Sequence, residues 1–169
     1  MFKRIMVPIE TEEKSQIAIQ IAYEFAQLHK SEVILFNVIS TKSLDVTTQE
    51  APTEAPHKQV EDAEEQEPPP TDEIPTGVER EERRKALEED RYKMLYSVKR
   101  SAPDSRMKVF IDIVDGDPAT KISEVARKNK VDLIIMPKSG KIGPRRVLVG
   151  DIALKVAEMT DIPLMLISS

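Results

Sequence analysis

The strongest constraint in this sequence is a set of short, nearly unbroken apolar runs separated by amphipathic stretches. Ile5-Met6-Val7 closes on Pro8, Glu32–Ile39 reads EVILFNVI, Val131–Met136 reads VDLIIM, and Leu164–Ile167 follows Pro163. A strand covered on both faces needs such a run, because neither side of it meets water. Between the first two, Glu12–His29 places Ile17, Ala18, Ile21, Ala22, Phe25, Ala26 and Leu28 at helical spacing, which predicts one core-facing stripe. Lys108–Val114, KVFIDIV, is rich in β-formers but carries Asp112, so it reads as a strand less deeply buried than the second. Asp117 as N-cap and Pro118 at the first helical position start the next helix. Its inward stripe is Ile122, Val125 and Ala126, and Asn129 ends it. Two further helices are expected: Val78–Lys99, with Leu87, Met94, Leu95 and Val98 inward, and Asp151–Thr160, with Ile152, Val156 and Met159 inward. The order β-α-β-(insertion)-α-β-α-β-α-β predicts an α/β fold, an open five-stranded parallel sheet with helices on both faces.

The chain of 169 residues has room for one such domain, 1–169, and an appendage. The appendage is Thr41–Thr76, which holds six prolines and ten of the acidic residues against two lysines. Its charge of −8, against −5 for the whole chain, leaves the remainder near +3, too little to argue for nucleic acid unless it is clustered. With so few apolar residues the stretch cannot offset the entropy of ordering it, and it reads as a flexible acidic insertion. The chain has no cysteine, which removes disulfides, thiolate metal sites and cysteine nucleophiles together. His29 and His57 are the only imidazoles, so histidine-rich metal sites and an ordinary serine triad are also poor fits. No apolar run approaches the ~18 to 20 residues of a membrane span, and the N-terminus lacks a signal-peptide layout. A cytoplasmic protein without membrane or nucleic-acid partners is expected.

A parallel sheet of this kind takes ligands outside the carboxyl ends of its strands. That places the candidate site at Pro8, Ile9, Glu10 and Thr11, at Val38 and Ile39, and along the segment from Met136 to Gly150. The segment holds three of the five glycines, Gly140, Gly143 and Gly150, together with Lys138, Lys141, Arg145 and Arg146. Backbone amides of a glycine turn ahead of a helix favour anions, although glycines also serve as plain turn formers. No Gly-Lys-Ser/Thr triplet closes the segment, so it is not a P-loop. Glu10 and Glu12 could equally cap the first helix. Asp112 and Asp115 read as structural carboxylates, and Met94, Met136 and Met159 as packing residues. No nucleophile or metal cluster emerges, which argues against an enzyme.

These pieces, KRIMVPIE, EVILFNVI, GDPATKISEVA, DLIIMPKSGKIG and VLVGDIALKVAEMTDIPLMLI, resemble the universal stress protein family in order and spacing, over nearly all of the chain outside the acidic insertion. The resemblance implies a Rossmann-like sheet of strand order 3-2-1-4-5, akin to the adenine nucleotide alpha hydrolases. It also implies a homodimer paired through the edge strand Leu164–Ile167. ATP pyrophosphatases of that superfamily carry a glycine-rich loop after the first strand, where this chain reads PIETEEKS. One branch of the family binds ATP through G-x2-G-x9-G-[S/T]. Here Gly140 and Gly150 match its second and third glycines, Pro137 stands at the first, and Asp151 stands at the final Ser/Thr. Glu10 matches the acidic residue that meets the nucleotide, Pro8 matches as well, and Val38 the position whose backbone meets adenine. Pro137 removes one backbone donor. Asp151 sets a carboxylate where phosphates would lie, at a cost on the order of 4 kcal/mol per like-charge pair at 4 Å and an effective dielectric near 20, and could itself cap the helix. The expectation is a degenerate nucleotide site that binds weakly and suits AMP better than ATP; the alternative is an interaction or scaffold protein that has lost the nucleotide and acts through its dimer surface and insertion.

Overall fold

The computed structural model describes residues 2–40, 44, 76–138 and 150–168. Strand β1 (Arg4–Pro8) leads through Thr11 to helix α1 (Glu12–His29), then β2 (Glu32–Ser40). Helix α2 (Gly77–Arg100), β3 (Val109–Gly116), α3 (Pro118–Lys128), β4 (Leu133–Pro137), α4 (Asp151–Met159) and β5 (Leu164–Ile167) follow. The strands form one parallel sheet in the order β3-β2-β1-β4-β5, as expected. Its central strands are sealed on both sides. Ile5 and Val7 of β1, Val33 and Leu35 of β2, and Leu133 and Ile135 of β4 pack with α1 and α2. Met6, Ile34, Phe36 and Ile134 point the other way, onto α3 and α4. This alternation is why the runs had to be apolar throughout.

The ends of the elements show why each stops where it does. Thr11 Oγ1 accepts from Lys14 N at 3.4 Å, so Thr11 caps α1 and Glu10 and Glu12 do not. Thr76 and Glu79 form a reciprocal capping box at the start of α2. Asp117 Oδ2 accepts from Thr120 N at 3.0 Å with Pro118 next to it, the start read from sequence; that bond holds the Asp117 carboxyl below its usual pKa. Just before it, Gly116 has φ 142°, and a Cβ there would lie 2.8 Å from Lys121 Cε. Gly116→Ala is therefore expected to cost about 1–3 kcal/mol in denaturant unfolding; an unchanged midpoint would show that the turn relaxes freely.

Helices α1 and α3 end alike. Lys30 and Lys130 both sit in the left-handed region, at φ 54° and 53°. Ser31 N reaches Ala26 O, and Val131 N reaches Ala126 O, so each turn folds back over its own helix before the next strand. A non-glycine residue in that region is strained, so Lys30→Gly and Lys130→Gly should each raise the melting temperature slightly, by a few degrees at most. Below the sheet, Arg4 clasps Glu32 with Nε at 2.9 Å and Nη2 at 2.6 Å and also donates to the Asn129 carbonyl. Asp132 Oδ2 accepts from the backbone N–H groups of Lys3 and Arg4 at 2.7 and 2.9 Å. The starts of β1, β2 and β4 are thus tied together.

Several expected stripes are rotated. In α1 the buried residues are Ser15, Ala18, Ile19, Ala22, Tyr23 and Ala26, while Ile17 and Leu28 are 45% and 77% exposed. In α2 only Leu95 and Val98 are buried, with Leu87 and Met94 half-buried. In α4, Ala153 and Val156 face inward, whereas Ile152 and Met159 are exposed. In α3, Ile122 and Ala126 are buried and Val125 is half-buried. The apolar residues of α1 cover far more than one face, so the side chosen is set by the shape of the sheet and of α2. Of the stretch 41–76, Leu44 and Thr76 are described, and Leu44 is buried. The rest of the acidic stretch lies outside the described residues.

Candidate functional site

Strand order turns back at β1, which has β2 on one side and β4 on the other. Helices α1 and α2 lie on one face and α3 and α4 on the other, so no helix crosses over the strand ends at this point, and a crevice opens there. Its volume is about 300 Å³. Pro8, Ile9 and Glu10 enter it from β1 and the turn beyond. Phe36 to Ser40 form its floor from β2, and Met136 and Pro137 bound it from β4. Seven of the residues placed at the site from sequence, Pro8, Ile9, Glu10, Val38, Ile39, Met136 and Pro137, therefore share one cavity.

The others separate. Lys138 does not line the cavity; its backbone N–H donates to Ile167 O at 2.7 Å and prolongs the pairing of β4 with β5. Gly150 is the N-cap of α4 and no side chain caps it, so Asp151 does not take the capping role that its position in the sequence left open. Asp151 is the first helical residue, exposed and just outside the lining, and its neighbour Ile152 forms part of the wall. The reason is register: with Gly150 at the N-cap, Asp151 is already the first helical residue, one position past the one whose side chain caps a helix. Gly140, Lys141, Gly143, Arg145 and Arg146 lie outside the described residues.

The structure adds residues that the sequence reading missed. Leu87 and Arg91 reach the cavity from α2, and Pro118 and Ile122 from α3. Leu87 and Arg91 stand four residues apart on one helix face, a signal present in the sequence, but nothing local says that this face overlooks a ligand site. Glu10 is engaged with Lys14 Nζ at 3.3 Å. Asn37, 2% exposed, donates from Nδ2 to Ile9 O at 2.6 Å, and Ile9 N in turn donates to Phe36 O at 2.7 Å. These two bonds fasten the turn after β1 onto β2, so the chain carrying Glu10 is held rather than loose. The walls are otherwise apolar, with Glu10, Asn37, Ser40 and Arg91 as the polar side chains, a makeup usual for a small-molecule site. Among the described residues no group of three histidine, aspartate or glutamate side chains could hold a metal ion. No described helix is long and apolar enough to cross a membrane.

Comparison with known proteins agrees with this architecture. A family model described as the Universal stress protein family matches residues 1–168. Universal stress protein MJ0577 of Methanocaldococcus jannaschii is 28% identical over 99% of this chain and 95% of its own length. Universal stress protein MJ0531 of the same organism is 35% identical over 81 residues, and the chain spans only 48% of that relative. The solved structure of MJ0577 superposes with a TM-score of 0.70 at 26% identity, covering 100% of this chain and 97% of that one. A universal stress protein solved in complex with cAMP has a TM-score of 0.60 at 14% identity, covering 98% and 96%.

Proposed function

The chain belongs to the universal stress protein family, and on that premise we propose that it is a cytoplasmic stress-response module that binds an adenine nucleotide of low charge, AMP ahead of ATP, over the strand ends of β1, β2 and β4. It binds rather than catalyses, with at most weak ATP hydrolysis. The observation that carries the reading is the cavity of about 300 Å³. That volume is at the lower end of the roughly 300–1,000 Å³ of small-molecule sites, enough for a nucleoside body. A triphosphate tail would have to extend past it toward the start of α4, where Asp151 stands exposed. Pro137, at the rim, has no N–H to offer it. A protein of this fold has been solved with cAMP, a nucleotide of one phosphate, which is in keeping with the same preference.

Calorimetric titration tests this. AMP is expected to bind the wild-type protein at least tenfold more tightly than ATP, and Asp151→Ser to recover about tenfold in ATP affinity, or about 1.4 kcal/mol. An exposed carboxylate near phosphate repels it by about 1–4 kcal/mol at 4 Å for effective dielectrics between water and the protein surface, which brackets that change. Wild-type protein that binds ATP more tightly than AMP would overturn the reading.

The same reading includes a homodimer through β5. All four residues of that edge strand are only half-buried, and Leu154 and Met159 of α4 are 52% and 42% exposed. An uncharged apolar edge invites pairing unless it is covered, and a second copy across a two-fold axis would cover it. Light scattering at micromolar concentration should give twice the 19.1 kDa chain mass, and Leu166→Lys should give the single mass. A monomeric wild type would overturn the dimer. If neither AMP nor ATP binds and the dimer persists, the scaffold reading takes its place.

A further inference from the structure

Two polar groups in the cavity wall are left without partners by the fold. Arg91, half-buried, is the one cation among the described residues lining the cavity, and none of the ion pairs or hydrogen bonds of the described residues engages it. Its neighbours on α2 are occupied: Arg84 lies 3.0 Å from both Glu81 and Glu88, and Lys93 lies 2.8 Å from Glu89. The cavity's one described carboxylate, Glu10, is already with Lys14. Arg91 thus holds an unneutralised guanidinium beside apolar walls, the arrangement in which an incoming anion gains most from a two-pronged contact.

The second group is Asn37. Because the Ile9 carbonyl can only accept, the amide bonded to it must present Nδ2 there, and this fixes the side chain's orientation. Its Oδ1 is then buried with no donor. A buried acceptor left open is costly, and natural folds rarely leave one unpaired.

We propose that Arg91 and Asn37 are the residues that read the ligand, Arg91 pairing with its anionic group and Asn37 Oδ1 accepting an N–H from its amino group. This rests on the nucleotide reading above and narrows it to an amino-bearing nucleoside monophosphate gripped in part from α2.

The experiment is a calorimetric series of AMP, adenosine and IMP against the full-length wild type, Arg91→Met and Arg91→Lys, with thermal melts to establish that each variant is folded. AMP affinity is expected to fall at least tenfold in Arg91→Met and to recover most of that loss in Arg91→Lys. Adenosine, which has no anion for Arg91, should bind wild type and Arg91→Met within twofold of each other. IMP, which presents an oxygen in place of the amino group, should bind the wild type at least tenfold more weakly than AMP. If AMP binds wild type and Arg91→Met equally, the role of Arg91 is refuted while the nucleotide reading stands. If IMP binds as well as AMP, the role of Asn37 is refuted in the same way. Failure of all three probes to bind the wild type removes the nucleotide reading and this inference together.

Discussion

Phe36→Ala lowers the unfolding free energy by about 3–5 kcal/mol, the largest loss expected of any single substitution considered for this chain. The ring is fully buried in the middle of the sheet, packed in the cluster that also holds Met6, Ile122, Ile134 and Val156. Its backbone lies in register with Pro8 on one side and Asp112 on the other, so neither strand can shift to fill the gap without breaking a ladder. The truncated site therefore stays open, and the cost includes the void as well as the lost transfer energy. Because Phe36 also contributes to the cavity floor, nucleotide affinity should fall in the same variant. Urea titration checks the stability part: the midpoint should drop at unchanged slope. A loss under about 1 kcal/mol would mean that the layer under the cavity is not packed as described.

The second large effect is alkaline. Tyr23 of α1 is buried against α2, and its hydroxyl donates to Val98 O at 2.7 Å. Burial disfavours the phenolate and pushes the pKa from 10.0 to about 12, partly offset by a hydrogen bond with Ser101. The fold favours the protonated form, so the contribution of Tyr23 is complete below about pH 10 and is lost as pH climbs from 10 toward 12. A shift of that size corresponds to at most about 2–3 kcal/mol. Tyr23→Phe should cost about 1 kcal/mol at neutral pH, the worth of its hydrogen bond, yet lose less stability than wild type between pH 10 and 12. Equal alkaline slopes for the two proteins would contradict this. The other two tyrosines, Tyr92 and Tyr96, are exposed and stacked on each other along α2, so a spectroscopic phenolate titration can be assigned by comparing the same pair of proteins.

The fold was legible because burial on two faces leaves a coarse mark. EVILFNVI can be little else than a strand inside a parallel sheet, and Asp117-Pro118 announces a helix through chemistry that acts over a single turn. The mark is weaker where several faces compete. Helix α1 carries Ile17, Ile19, Ile21, Tyr23 and Phe25 in succession, and a choice among them depends on the partner surface, which the sequence does not display locally. The cavity divides the same way. Pro8, Glu10, Val38 and Met136 follow from the rule that ligands meet strand ends, whereas Leu87, Arg91 and Ile122 belong to helices whose faces are aimed by long-range packing. Asn37 was hidden inside an apolar run, where a lone amide reads as incidental until its open oxygen is seen.

Strand order also sets a timetable. In a chain made from its N-terminus, β1, β2 and β3 can pair as soon as residue 116 has emerged, while β1 keeps its other edge bare until β4 arrives and Ile5 and Met6 meet Leu133 and Ile134. That closure spans more than a hundred residues and is the slow, entropically costly event in assembling such a sheet. The cavity straddles this seam, with Pro8 and Val38 on the early half and Met136 and Ile152 on the late half. A small molecule wedged there acts as a splint between the two, so newly made chains should complete their last docking step more readily when it is abundant.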